Sequence, residues 1–101
     1  MTAEDPRIRQ IVIELCEEDD YGSWELLWAL SADAQDVPRE LLAKKLADVV
    51  ETLVTELLIV TMIKKTDNNF RNVKFSKARL LEQLRDAHDP DPDTFYWFGT
   101  P

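Results

Sequence analysis

The only histidine of this 101-residue sequence, His88, lies between Asp86 and Asp89 in a polar stretch. A Ser-His-Asp site needs a nucleophile within reach of the histidine and a carboxylate that orients the ring. No nucleophile signature accompanies His88, and a lone histidine in an acidic run is typical of a solvated surface. We therefore expect no catalytic residues and a protein that is not an enzyme.

Two acidic runs, at 17–20 and 86–93, have the residue type that attracts divalent cations. Neither has the spacing of a calcium loop with its central glycine. A structural zinc site needs a cluster of cysteine and histidine, and the chain has one of each. With only two glycines the sequence also lacks a Gly-rich phosphate loop. We expect no metal and no cofactor.

Chain length and cysteine usage indicate a single domain over 1–101 from a reducing compartment. Cys16 has no partner for an internal disulfide, and its place among apolar residues predicts a buried thiol. No charged segment followed by an apolar run opens the chain, so we expect no signal peptide. The longest apolar-rich stretch, 53–63, is interrupted by polar residues and too short to span a bilayer. We expect a cytoplasmic protein with no membrane contact.

Apolar spacing and turn residues divide the chain into helices and strands. The third helix carries the strongest pattern, with leucine or valine recurring at helical spacing from Leu42 through Leu57. Tyr21 and Gly22 read as a break between the first two helices. Strands are predicted where β-branched and aromatic residues dominate. The predicted helices are 6–18, 23–31, 38–56 and 77–87, and the predicted strands are 58–65, 70–75 and 94–98.

The segment 40–60 passes from a helix through Leu53-Val-Thr-Glu-Leu-Leu directly into a strand, and the preceding helix opens with Ser23-Trp-Glu-Leu-Leu-Trp. In this order and pattern the chain resembles winged helix-turn-helix domains over residues 6–75. The resemblance implies an α+β, mostly helical fold, with a winged-helix-like core of three helices and a small antiparallel sheet. Residues 76–101 would add a fourth helix, an Asp-Pro linker and a terminal aromatic strand. Such domains bind DNA or proteins, so the fold alone leaves the function open.

Charge is unevenly distributed in this acidic chain, whose net charge is −8. The stretch 64–79 holds six basic residues and one acidic residue, a net charge of +5, which leaves −13 for the remainder. In a DNA-binding winged helix the first half of the third helix enters the major groove and the wing contacts phosphate. The residues that would do so here are Arg39, Lys44, Lys45, Lys64, Lys65 and Arg71.

The same helix also carries Glu40, Asp48 and Glu51, and it has no Asn, Gln or Ser to read base edges. The basic residues would then only keep an exposed edge soluble. Both interpretations stay open.

Four consecutive aromatic residues stand near the C-terminal end of the sequence, and they alternate between two faces if the segment is a strand. One pair would pack on the helices while the other could face a partner, since Trp and Tyr are enriched in binding hot spots. The alternative is that the rest of the domain covers both faces of this strand. The candidate interface residues are Phe95, Tyr96, Trp97 and Phe98.

We therefore predict a non-catalytic, acidic protein-interaction module, such as an immunity or inhibitor protein or a regulatory adaptor, with a basic protein as its partner. It could also form a homodimer through the aromatic strand or the long third helix. The alternative is a DNA-binding transcriptional regulator that uses the third helix and the basic wing. A third hypothesis is a small-molecule sensor with a pocket between the second helix and the sheet.

Overall fold

The structure is a computed structural model that describes residues 6–66, 69–85 and 95–101, with the side chains of 64–66 left out of the description. It is an α+β domain, mostly helical, with a small antiparallel sheet, which confirms the predicted fold class. The element order is compatible with a winged-helix-like shape. The elements are α1 (Pro6–Glu18), β1 (Tyr21–Gly22), α2 (Ser23–Asp33), α3 (Arg39–Thr55), β2 (Val60–Thr66), β3 (Asn69–Asn72), α4 (Lys77–Arg85) and β4 (Tyr96–Gly99).

Helix boundaries follow the local signals in the sequence. Pro38 takes φ −57° and ψ 139° and precedes the first residue of α3, as expected of a residue that cannot donate a helical hydrogen bond. At the start of α2 the residue that caps the helix is Gly22, not Ser23 as its type suggests. The Gly22 N–H donates to Glu25 Oε1 at 3.0 Å, so the glutamate side chain fixes this end. Ser23 is instead buried inside the first turn.

The sheet has four antiparallel strands in the order β1-β4-β2-β3. The terminal strand β4 lies between β1 and β2, with Phe98 opposite Tyr21 on one side and opposite Thr61 on the other. The predicted terminal strand therefore joins the β2–β3 hairpin, and a further strand that the sequence did not predict lies on its other side. The missing strand is β1, which was predicted as a break because two residues are too few to show any period.

One apolar core joins the four helices to one face of the sheet. The predicted stripe of α3 faces this core as far as Leu53, which is fully buried. Leu57, the next position in the same pattern, is 77% exposed. The helix ends two residues before it, so the helical period no longer determines where this side chain points.

Polar contacts at the N-terminal half of α1 fasten this helix to its neighbours. Arg7 donates to the Asp33 carboxylate at 2.6 and 2.8 Å, and Arg9 donates to Glu56 at 3.0 Å. The hydrogen bonds from Arg7 hold the pKa of Asp33 below its ordinary value. Further along α1, burial and then the charge of Asp20 raise the pKa of Cys16 to about 12, which agrees with the predicted buried thiol. In the described part of the chain, no helix combines the length and the apolar character needed to cross a membrane.

Candidate functional site

The C-terminal end of α3 closes in a left-handed turn. The Leu57 N–H donates to the Val54 carbonyl at 3.1 Å, and the Leu58 N–H donates to the Leu53 carbonyl at 3.0 Å. This hydrogen-bond pair is the Schellman motif, which places one residue in the left-handed region. Here that residue is Leu57, with φ 62°. Glycine or asparagine is usual at this position, because a Cβ there costs about 1–2 kcal/mol.

Leu57 and Leu58, which we call the apolar tip, also project into solvent. Their exposed fractions are 77% and 43%. Each exposed leucine forgoes the burial that would stabilise it by about 1.5–3 kcal/mol. The tip therefore combines backbone strain with unburied apolar surface, and neither feature helps the fold. Strained backbone that the fold does not need tends to occur at functional sites.

Four carboxylates follow one another where α1 ends, and we call them the acidic run. The run precedes β1, and its effect is visible in the ionisation of the adjacent Tyr21. Partial burial, followed by the charges of Glu18, Asp19 and Glu25, raises the pKa of Tyr21. The potential around this junction is therefore negative. The members of the run are Glu17, Glu18, Asp19 and Asp20.

Strand pairing brings the acidic run to the same end of the sheet as the apolar tip. The Asp20 carboxylate lies against Gly99 so closely that a Cβ on this glycine would collide with it. Gly99 in turn pairs with Val60, only two residues after Leu58. One carboxylate of the acidic run and the strand that follows the apolar tip are therefore both adjacent to Gly99. Glu56, the residue before the apolar tip, forms an ion pair with Arg9 and so links the end of α3 to α1.

The two faces of β4 place the predicted aromatic residues in different surroundings. Tyr96 and Phe98 lie in the main core, where the Tyr96 hydroxyl accepts a hydrogen bond from the Ser76 N–H at 3.2 Å. Phe95 and Trp97 lie on the other face and pack edge-on against Trp24, at centroid distances of 5.5 and 5.2 Å. The predicted alternation of faces is confirmed.

Of these four aromatic residues Trp97 alone is half-buried rather than buried, and Phe70 packs on it at 5.3 Å. Both edges of β4 are already paired, so a second copy of the chain has no free edge to join at this strand. Sheet extension by another chain is available only at the outer strands, β1 and β3.

The basic residues predicted to contact DNA fall into two places. Arg39 and Lys44 line a cleft between α3 and α4 together with Arg85. Arg85 was not among the residues predicted to contact DNA. Lys45 is half-buried on α3 outside this cleft. Arg71 is exposed on β3, and Lys64 and Lys65 belong to the facing strand β2, with side chains outside the description.

The exposed side of α3 is not uniformly basic. Asp48 forms an ion pair with Lys77, and Glu51 Oε1 lies 3.9 Å from the same ammonium. One of the six basic residues of the stretch 64–79 is therefore neutralised by carboxylates of the predicted recognition helix. A DNA backbone approaching α3 would meet these two carboxylates as well as the lysines.

Most of the net negative charge lies outside the described residues. The described ranges contain 13 acidic and 12 basic residues, and the other seven acidic residues lie in 1–5, 67–68 and 86–94.

Among the side chains that the structure describes, no group of three or more His, Cys, Asp or Glu residues could hold a metal ion. His88, Asp86 and Asp89, with the rest of the second acidic run, lie outside the described residues. Comparison of the chain with protein-family models, with curated proteins and with solved structures finds no match.

Proposed function

We propose that the protein is a non-catalytic interaction module that binds a basic protein partner through the apolar tip and the acidic run, as an inhibitor or a regulatory adaptor does. The observation that carries this proposal is Leu57, which is both in the left-handed region and 77% exposed. A partner that buries Leu57 and Leu58 would recover the apolar free energy that the free protein forgoes.

The acidic run supplies the second half of the recognition. Asp20 of this run lies against Gly99, and Gly99 pairs with Val60, two residues after the apolar tip. Complementary charge accelerates encounter and discriminates between partners more than it adds affinity, and it is screened by salt. The partner surface is therefore basic at its rim and apolar at its centre.

The test begins with capture of partners from a lysate of the source organism, followed by affinity measurements on the purified candidate. Leu57→Gly should weaken binding at least about tenfold, as loss of a hot-spot side chain does. Leu41→Ser is the matched control, because Leu41 is 44% exposed at the other end of α3. Glu18→Gln with Asp19→Asn should slow association at low salt and have little effect at high salt.

Leu57→Gly relieves strain, so loss of binding in this variant cannot be attributed to unfolding. Equal affinity of wild type and Leu57→Gly for the captured protein would refute the role of the tip. Association rates that do not respond to salt would refute the role of the acidic run.

DNA binding is the second candidate function. The resemblance to winged-helix domains indicates which residues would contact the DNA. DNA binding is favoured by Arg39, Lys44 and Arg85, which form no ion pairs among the described residues although they lie together. A gel shift at low salt with a pool of genomic fragments tests it. Binding that weakens in Arg39→Gln and Lys44→Gln, with a smaller salt slope, would support a regulator. Absence of any shift at micromolar protein would remove this candidate.

A further inference from the structure

A cleft of about 590 Å³ lies between the first half of α3 and the last turns of α4. Its floor is apolar and consists of Ala43, Leu81 and Leu84. Its rim is charged and carries Arg39, Lys44 and Arg85 with a single acid, Glu40. Small-molecule sites typically have about 300–1,000 Å³ and combine apolar walls with a few polar groups. The cleft has the size and the composition of such a site.

The packing of α4 on α3 builds this cleft. The ion pair of Lys77 with Asp48 fixes the start of α4 beside the middle of α3. From there α4 runs back toward the beginning of α3, so that Arg85 in its last turn and Arg39 in the first turn of α3 line the same cleft. Leu84 is buried at the base of this contact. The two arginines come from positions 46 residues apart in the sequence and meet only through this packing.

The rim is positive in a chain whose net charge is −8. None of its three cations forms an ion pair within the described part of the chain. The beginning of α3 adds to this potential, because Pro38 offers no side chain to cap the first backbone N–H groups. Cations beside an apolar floor are complementary to a ligand that is itself anionic at one end and apolar at the other.

We propose that the cleft binds a small amphipathic anion, with its acidic head group between Arg39 and Arg85 and its apolar tail on Leu81 and Leu84. An aliphatic carboxylate has this chemistry, since a guanidinium group can donate two parallel hydrogen bonds to one carboxylate. The site lies at the opposite end of α3 from the apolar tip, so it is independent of the proposed protein interface. It also differs from the predicted sensor pocket, which was expected between the second helix and the sheet.

The experiment titrates the full chain with octanoate and follows backbone amide shifts by NMR. The largest shifts should map to Ala43, Lys44 and Leu84. Octanol, which lacks the charge, and acetate, which lacks the tail, should both bind much more weakly. Octyl phosphate distinguishes a general anion site from a carboxylate site, and a short DNA duplex distinguishes a ligand cleft from a nucleic-acid surface.

Two kinds of variant localise the site. Arg85→Gln and Arg39→Gln should each weaken octanoate binding about tenfold, the loss expected for one charge-assisted hydrogen bond. Arg71→Gln removes the same charge from an exposed position on β3 and should leave the affinity unchanged. Ala43→Gln keeps every cation but fills the floor and should abolish binding, and a thermal melt verifies that this variant is folded.

Three outcomes overturn the proposal. The first is equal binding of octanol and octanoate, which would mean an unspecific apolar contact. The second is octanoate binding that survives both arginine substitutions. The third is a DNA duplex that shifts the backbone amide signals of the cleft when octanoate does not. The cleft would then belong to a nucleic-acid interface and not to a ligand site.

Discussion

At its N-terminal end α3 follows Pro38, which offers no capping side chain, and the adjacent cleft is lined by three cations that form no ion pair among the described residues. At its C-terminal end two backbone hydrogen bonds satisfy the last carbonyls, but Leu57 is forced into the left-handed region. The N-terminal end has cations that form no ion pair among the described residues. The C-terminal end has a strained backbone at Leu57 and exposed apolar side chains. In the middle of the helix Leu46, Ala47, Val49 and Val50 are buried in the core. The difference indicates two separate contact sites on one helix.

Substitution of Leu53 should produce the largest effect on stability along this helix. Leu53 is fully buried one turn before the C-terminal end, so Leu53→Ala should lower the free energy of unfolding by about 3 kcal/mol. Leu41→Ala near the other end should cost less, about 1 kcal/mol, because 44% of Leu41 is exposed. Urea unfolding at constant m-value measures both. Similar losses in the two variants would mean that Leu41 is covered in solution.

Leu57→Gly should have the next largest effect, and of opposite sign. Removing the Cβ at φ 62° should stabilise the protein by about 1 kcal/mol and raise Tm by several degrees. Leu58→Gly is the control, because Leu58 has no positive φ: the change adds chain entropy to the unfolded state and removes a side chain that is 43% exposed, so it should destabilise the protein. Thermal unfolding compares the two. A Tm that rises in neither variant, or equally in both, would contradict strain at the end of α3.

The ion pair that joins α3 to α4 should contribute least. Lys77→Ala should cost about 0.5 kcal/mol at neutral pH, the ordinary value of a largely exposed pair. The hydrogen bond to Asp48 raises the pKa of Lys77 above its ordinary value of 10.5, although burial opposes this shift. Since the pKa is higher in the folded state, the contribution is complete below 10.5 and is lost as pH rises through the folded value.

Urea midpoints of wild type and Lys77→Ala therefore converge at alkaline pH. A difference that persists well above pH 10.5 would show that the lysine acts through its packed methylene groups and not through its charge.

Local patterns predicted the helices and the side of α3 that enters the core, because the 3.6-residue period depends only on neighbouring residues. The same pattern failed at Leu57, where it assigned a core position to an exposed residue. The end of the helix was predicted within one residue, but with no glycine after Glu56 nothing indicated that Leu57 adopts the left-handed conformation. The β-branched residues that begin at Ile59 require the helix to end before them, and counting back from this strand would have identified Leu57 as the turn residue.

The candidate sites were predicted only in part. Arg39 and Lys44 were identified from their charge and position on α3, but Arg85 was not, because no local signal shows which helix packs beside another. The aromatic segment was identified with the correct alternation, whereas its central place in the sheet depends on the two-residue strand β1.

Sequence alone therefore settles the local features of this protein: which segments are helical, which face of each is apolar, and where the proline residues begin α1 and α3. Tertiary structure decides which distant residues meet. The packing of α4 places Arg85 and Arg39 at the same cleft. Pairing of β4 with β2 places Gly99, and with it Asp20, beside Val60, the first residue of β2. Periodicity is encoded within a few residues, whereas these encounters depend on how whole elements bury their apolar faces against one another.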